Sequence, residues 1–138
     1  MTQLADVKQF IETIRANTGA EKYFQPGITI YISRAPGRLD LMGGNDDYTG
    51  GLVFETTIRE ATRVAVQSRN DTRIRLFNPQ MRSQGWHELV ECSLADLATD
   101  SGLRSLEEVR DFINADSKRQ WIAYVFGAVY LLKKKFPM

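Results

Sequence analysis

Leu4, Val7, Ile11 and Ile14 recur at helical spacing, and Phe10 widens the stripe they make. With Gly19 placed to end it, the pattern predicts a helix from about Thr2 to Asn17, then a connector through Pro26-Gly27. Ile28, Ile30 and Ile32 alternate with Thr29, Tyr31 and Ser33, the period of a half-buried strand. Leu52 to Ile58 reads as a second strand. Thr62, Val64 and Val66, set against Arg63, Ala65 and Gln67, read as a third that ends near Asn70-Asp71. Ile74 and Leu76 between Arg73, Arg75 and Phe77 give another, stopped by Asn78-Pro79, and Trp86 to Cys92 gives the last.

Beyond Cys92 the period lengthens. Ser93 with Asp96 can open a short helix, and Ser105 with Glu108 is a capping-box pattern. Ser117 with Gln120 repeats that pattern before a stripe at Trp121, Ile122, Val125, Ala128, Val129 and Leu132. That helix should reach about Lys135, with Lys133, Lys134 and Lys135 as a solvated terminus complementing its negative end. Strands bunched ahead of helices, without regular alternation, predict an α+β fold.

The 138 residues fit one ordinary domain with a core of its own. Eighteen Lys and Arg against seventeen Asp and Glu leave +1, so charge gives no motive for binding nucleic acid or an anionic membrane. The single cysteine, Cys92, cannot close an intrachain disulfide or a zinc cage, which favours a reducing, cytoplasmic setting. It has no histidine or helix start beside it in sequence and reads as a buried thiol. His87, the only histidine, falls in an expected strand and reads as structural. The first residues lack the unbroken apolar stretch of a signal peptide. The longest apolar run, Trp121 to Leu132, is too short to span a bilayer.

Arg34 to Gly51 is the densest stretch of special residues: Arg-Ala-Pro-Gly-Arg-Leu-Asp-Leu-Met-Gly-Gly-Asn-Asp-Asp-Tyr-Thr-Gly-Gly. Six of these eighteen are Gly or Pro, which predicts an interrupted, loop-like segment. Gly43-Gly44 lacks the spacing of a dinucleotide fingerprint, and no Gly-Lys pair exists for a Walker loop. Leu41-Met42 after Asp40 breaks an EF-hand pattern, as does Asp47-Tyr48 after Asp46. Two readings stay open on the residues alone. One is a polar pocket floor built from Arg38, Asn45, Asp46 and Asp47; the other is a Gly-rich connection with solvated acids.

The order of those residues resembles the signature of the GHMP small-molecule kinases, in particular the galactokinase branch. That branch carries Arg-Ala-Pro-Gly-Arg-Val-Asn-Leu-Ile-Gly-Glu-His-Thr-Asp-Tyr-Asn-Gly-Gly, and most of the eighteen positions agree without a gap. Ile58-Arg59-Glu60-Ala61 and the Met42-Gly43-Gly44 variant look more like the arabinokinase relatives. Trp121-Ile-Ala-Tyr-Val-Phe-Gly127 is similar to the family's Trp-x-x-Tyr-x-x-Gly helix.

The resemblance implies an N-terminal domain of the GHMP kinase type (ribosomal protein S5 domain 2-like), with a mostly antiparallel sheet and helices on one side. It divides the chain into an N-terminal helix and connector, 1–27, and the sugar-binding front of a kinase domain, 28–138. The implied reaction is transfer of the γ-phosphoryl group of ATP, with Mg, to a sugar hydroxyl, expected to be the anomeric one. Arg38 matches the family arginine beside that hydroxyl, where a fixed guanidinium can stabilise negative charge. Asp47 matches the aspartate that accepts from sugar hydroxyls, and Tyr48 follows in register, expected to pack and fix the loop. Asp46 falls on a variable position and reads as solvated. The family's glutamate and histidine are replaced by Gly44 and Asn45, which alters which sugar is favoured, arabinose, galactose or a relative. Trp121 matches a tryptophan near the adenine, although packing in its own helix explains it equally well. No metal ligands are implied within the chain.

The family's Gly-Leu-Gly-Ser-Ser-Ala phosphate loop and the later catalytic aspartate have no counterpart in residues 1–138. The expectation is therefore the front of a sugar kinase, inactive alone, with a small sugar as ligand and neither nucleic acid nor membrane as partner. A face left exposed by truncation would favour self-association. The alternative is a non-catalytic sugar-binding or regulatory module derived from the same family.

Overall fold

A computed structural model of the chain describes residues 5–16, 21–44, 46–99 and 102–136. They form two compact units, Met1–Ser68 and Arg69–Met138.

In the first unit, helix α1 (Ala5–Ala16) lies inside the range its stripe predicts, and the flanking residues 2–4 and 17 lie outside the described residues. Val7, Phe10, Ile11 and Ile14 are half-buried. Strand β1 (Ile30–Met42) pairs antiparallel with β2 (Phe54–Gln67), from Ile30 opposite Gln67 to Met42 opposite Phe54. Asp6 ties α1 to this ribbon: its carboxylate accepts from Arg34 Nε at 2.7 Å and lies 3.7 Å from Arg63 Nη1. Arg34 and Arg63 are cross-strand partners, and the Arg63 guanidinium stands 6.0 Å over the Phe10 ring. The Arg34 hydrogen bond, aided by the charge of both arginines, holds the Asp6 carboxyl below its usual range.

The ribbon corrects two expectations. Arg34 to Met42 is strand and not loop, because register shifts at Pro36/Arg38 and Asp40/Met42 accommodate the Pro-Gly step without ending the pairing. A side chain on Gly37 would sit 3.0 Å from Ile58 Cδ1, so glycine serves close packing there. The strands expected at 52–58 and 62–67 are also one, since Arg59-Glu60-Ala61 contains no Gly or Pro to break β2.

In the second unit, β3 (Arg73–Phe77) pairs antiparallel with β4 (Leu89–Ser93), and the short β5 (Ala98–Thr99) with β6 (Gly102–Leu103). Helices α2 (Leu106–Asn114) and α3 (Ala123–Lys135) follow, with Lys133, Lys134 and Lys135 in the last turn. The fold is α+β, as expected, and among the described residues the strands pair as two-stranded antiparallel ribbons, β1–β2 in the first unit and β3–β4 and β5–β6 in the second. β4 starts at Leu89, so Trp86 and His87 precede the strand expected to contain them, just after Gly85 turns the chain at φ +73°.

The core of this unit gathers Val90, Cys92, Leu97, Val109, Ile113, Ile122, Phe126 and Tyr130. On α3 the buried line is therefore Ile122, Phe126 and Tyr130, whereas Val125, Ala128 and Leu132 of the expected stripe are exposed. The Phe126 ring lies 5.8 Å from that of Phe112, and Tyr130 keeps its hydroxyl satisfied by donating to the Arg104 carbonyl at 2.9 Å.

Both Ser105/Glu108 and Ser93/Asp96 form reciprocal capping boxes. Ser117 does not cap: Asp116 accepts from Lys118 N at 2.9 Å and opens a 3₁₀ turn, Ser117–Ile122, that runs into α3. The negative charge of the Asp116 carboxylate favours the exposed backbone N–H groups at a helix start. Arg119 donates to the Phe112 and Ile113 carbonyls at the end of α2 and stacks 4.2 Å over the Phe112 ring. Among the described residues no helix is long and apolar enough to cross a membrane.

Candidate functional site

The 34–51 signature runs along β1 and into the turn that joins it to β2. Arg38 and Asp40 are two residues apart on β1 and so project from one face, opposite Thr57 and Glu55. Arg38 Nη1 donates to Glu55 Oε2 at 3.0 Å, with the arginine exposed and the glutamate half-buried. Asp40 is exposed and, within the described residues, makes no hydrogen bond or ion pair.

The chain leaves β1 through Gly43 at φ +78°, where an added Cβ would come 2.8 Å from the Leu52 carbonyl oxygen. Only glycine fits both the dihedral and the space. The Gly43 carbonyl accepts from Asp46 N at 2.7 Å, and the Asp46 carbonyl in turn accepts from Thr49 N at 3.1 Å and Gly51 N at 2.8 Å. These bonds fold the loop back on itself ahead of β2.

The sequence singled out Arg38, Gly44, Asn45, Asp47, Tyr48 and Trp121. Arg38 pairs with Glu55, while Gly44 lies beside Asp40, where an added Cβ would be 3.4 Å from Asp40 Oδ2. Asn45 and the side chain of Asp47 lie outside the described residues; the Asp47 backbone opens the 3₁₀ turn Asp47–Thr49. Asp46 is exposed, in keeping with a solvated side chain. Tyr48, the middle residue of that turn, is 87% exposed, where the sequence led one to expect packing. Glu55 went unread in the sequence: only strand pairing across the 43–53 turn puts it beside Arg38.

Trp121 belongs to the second unit. It is half-buried against the core, and its indole N–H donates to the His87 carbonyl at 2.9 Å. His87 Nε2 lies 3.0 Å from Asp116 Oδ2, so the histidine joins two turns and is structural. Cys92 is buried, and that burial, with Asp96 adding to it, pushes its thiol up to about 11, unsuited to nucleophilic work. An open groove of about 530 Å³ runs between α2 and α3, lined by Leu106, Val109, Ile113 and Gly127. Among the described residues no three His, Cys, Asp or Glu side chains gather to hold a metal ion.

At the start of α2 the Ser105 hydroxyl accepts from Glu108 N and the Glu108 carboxylate accepts from Ser105 N, and α3 continues directly from a 3₁₀ turn. Trp121 offers only part of an indole face.

Comparison with known proteins places residues 20–68 under the galactokinase galactose-binding signature, a span holding both strands of the ribbon. L-arabinokinase of Arabidopsis thaliana is 32% identical over 142 residues, covering 88% of this chain and 14% of that protein. Galactokinase of Chloroflexus aggregans is 33% identical over 119 residues, covering 86% of this chain and 25% of its own. Galactokinase of Bacillus subtilis is 41% identical over 63 residues, covering 46% and 15%. The chain thus spans a quarter or less of the length of these relatives. No solved structure matches it.

Proposed function

We propose that this chain, which is galactokinase-like, is the sugar-binding N-terminal part of an ATP-dependent sugar kinase and is inactive by itself. The observation that carries the reading is the galactose-binding signature over residues 20–68, centred on the polar ribbon end that holds Arg38. The acceptor would be a hydroxyl, the anomeric one, of arabinose, galactose or a related sugar. Arg38 would stand beside that hydroxyl as the catalytic cation, with Gly44, Asn45, Asp47 and Tyr48 around the sugar. Trp121 would wall the adenine, while ATP phosphates and Mg would be held by residues beyond 1–138. The fold would be the front of a GHMP-type domain (ribosomal protein S5 domain 2-like) over 28–138, preceded by a helix and connector over 1–27, working in the cytoplasm.

Self-association belongs to the same reading. Tyr31, Val64 and Val66 share one face of the ribbon and are 67%, 47% and 53% exposed, an apolar surface suited to a protein partner. Sedimentation of the chain should then show dimers or larger species.

Titration calorimetry with L-arabinose and D-galactose, together with radiolabelled ATP, tests the main proposal. Sugar heat without sugar phosphate is the expected result; heat from neither sugar at millimolar concentration would remove it. The capped start of α2 also favours a second reading, a sugar-binding module that never phosphorylates. Coding DNA past residue 138 separates the two. A downstream Gly/Ser-rich loop supports the kinase, and a stop with no such loop in any frame supports the module.

A further inference from the structure

Two carboxylates, Asp40 and Glu55, stand directly opposite each other across the ribbon. Like charges so placed repel, and the pair is tolerable here because Arg38 takes Glu55 at 3.0 Å. Asp40 is left without a cation or a donor among the described residues. It also flanks the bare backbone of Gly44, at 3.4 Å from where a side chain would begin. The described groups on this face thus include a guanidinium already engaged, a carboxylate already engaged, the Thr57 hydroxyl and one free carboxylate.

That inventory fits one class of ligand better than others. A neutral polyol can donate one or two hydroxyls to Asp40 and relieve its repulsion with Glu55. A ligand bearing its own carboxylate would bring a third negative charge to a place where Arg38, the cation at hand among the described residues, is committed to Glu55. We infer that Asp40 is the specificity-determining residue of the sugar site, accepting hydroxyls of a neutral sugar beside Gly44 and excluding sugar acids. This rests on the reading of the 20–68 signature as a sugar site. Asp40 acts by direct contact, Glu55 by fixing Arg38 and keeping the local charge negative.

Calorimetric titration of the 138-residue chain with L-arabinose, D-galactose and D-galacturonate tests the assignment. The wild-type chain should bind a neutral sugar and take galacturonate at least about tenfold more weakly. Asp40→Asn should lose about tenfold for the neutral sugar and bring the two ligand classes within about twofold of each other. Asp40→Glu should keep the discrimination, since the charge stays, and Glu12→Gln, on the exposed side of α1, should change neither value. Far-UV circular dichroism of each variant shows that the ribbon persists. If Asp40→Asn keeps both affinity and preference, the role of Asp40 is overturned while the sugar site stands. If the wild-type chain binds none of the three, the sugar site falls and Asp40 with it.

Discussion

The two units of the chain are built on different principles. Among the described residues, the eight buried side chains all belong to residues 69–136, and none of 5–68 is buried to that degree. The second unit is held by a core, with Leu97, Ile122 and Phe126 at 0% exposure. The first is held by strand pairing and by ion pairs on Asp6, and it turns Leu39, Leu41, Met42 and Phe54 toward solvent. A two-stranded ribbon is marginal by itself in water. The unit that carries the sugar signature is therefore the weaker one, and its apolar surface is what a partner would stabilise.

The contrast is broken most forcefully at Phe126. Replacing it by Ala removes the largest fully buried side chain and leaves a cavity that the surrounding rings cannot close. The expected loss is about 3–5 kcal/mol, read from denaturant unfolding followed through the α2 and α3 amides. No truncation in the first unit has an equivalent target. A similar loss from Ile32→Ala would show that the ribbon has a core after all.

How much of this was readable beforehand depends on the kind of signal. Signals carried by adjacent residues came through: the α1 stripe, the Ser105/Glu108 box and the 34–51 signature all lie within a few positions of sequence. Signals set by distant partners did not. Pro36-Gly37 looks like an interruption until β2 is placed beside it and the shift in register absorbs it. Helix α3 is apolar almost all round, so its period cannot choose a face; distant partners choose it, the Phe112 ring against Phe126 and the Arg104 carbonyl that receives Tyr130. The same limit hid Glu55, which is an unremarkable strand residue until pairing sets it against Asp40 and within reach of Arg38.

A smaller effect belongs to Gly43, and it sharpens the view that the first unit is held by backbone geometry. Gly43→Ala must adopt φ +78° and bring its methyl group to within 2.8 Å of the Leu52 carbonyl. The left-handed conformation alone costs about 1–2 kcal/mol, and the contact adds to it. Faster amide exchange at Asp46 and Gly51, whose bonds close that turn, is the measurement. Gly50→Ala is the control: it carries a similar φ of +79° but has nothing within 4 Å, so its loss should be the strain alone.

Acid distinguishes the units more gently. In the second unit, Arg69 and the backbone N–H of Arg73 draw Asp71 down to about 2, and Glu108 and Asp116 are lowered by the backbone N–H groups they accept at Ser105 and Lys118. In the first, the Arg34 hydrogen bond lowers Asp6. A carboxylate with a depressed folded value stabilises fully above its unfolded value and loses that contribution as pH falls through the folded one. For Asp71 the window runs from about pH 4 down to about pH 2. Unfolding monitored at the β3–β4 and α2 amides should therefore move to lower denaturant across that window, and Asp71→Asn should flatten part of the slope. Because these groups are exposed and screened, the shift should be small beside the Phe126 effect. Equal acid sensitivity at the β1–β2 amides would mean that Asp6 alone matters as much as three carboxylates together, and that ion pairing is the main tie of the ribbon to α1.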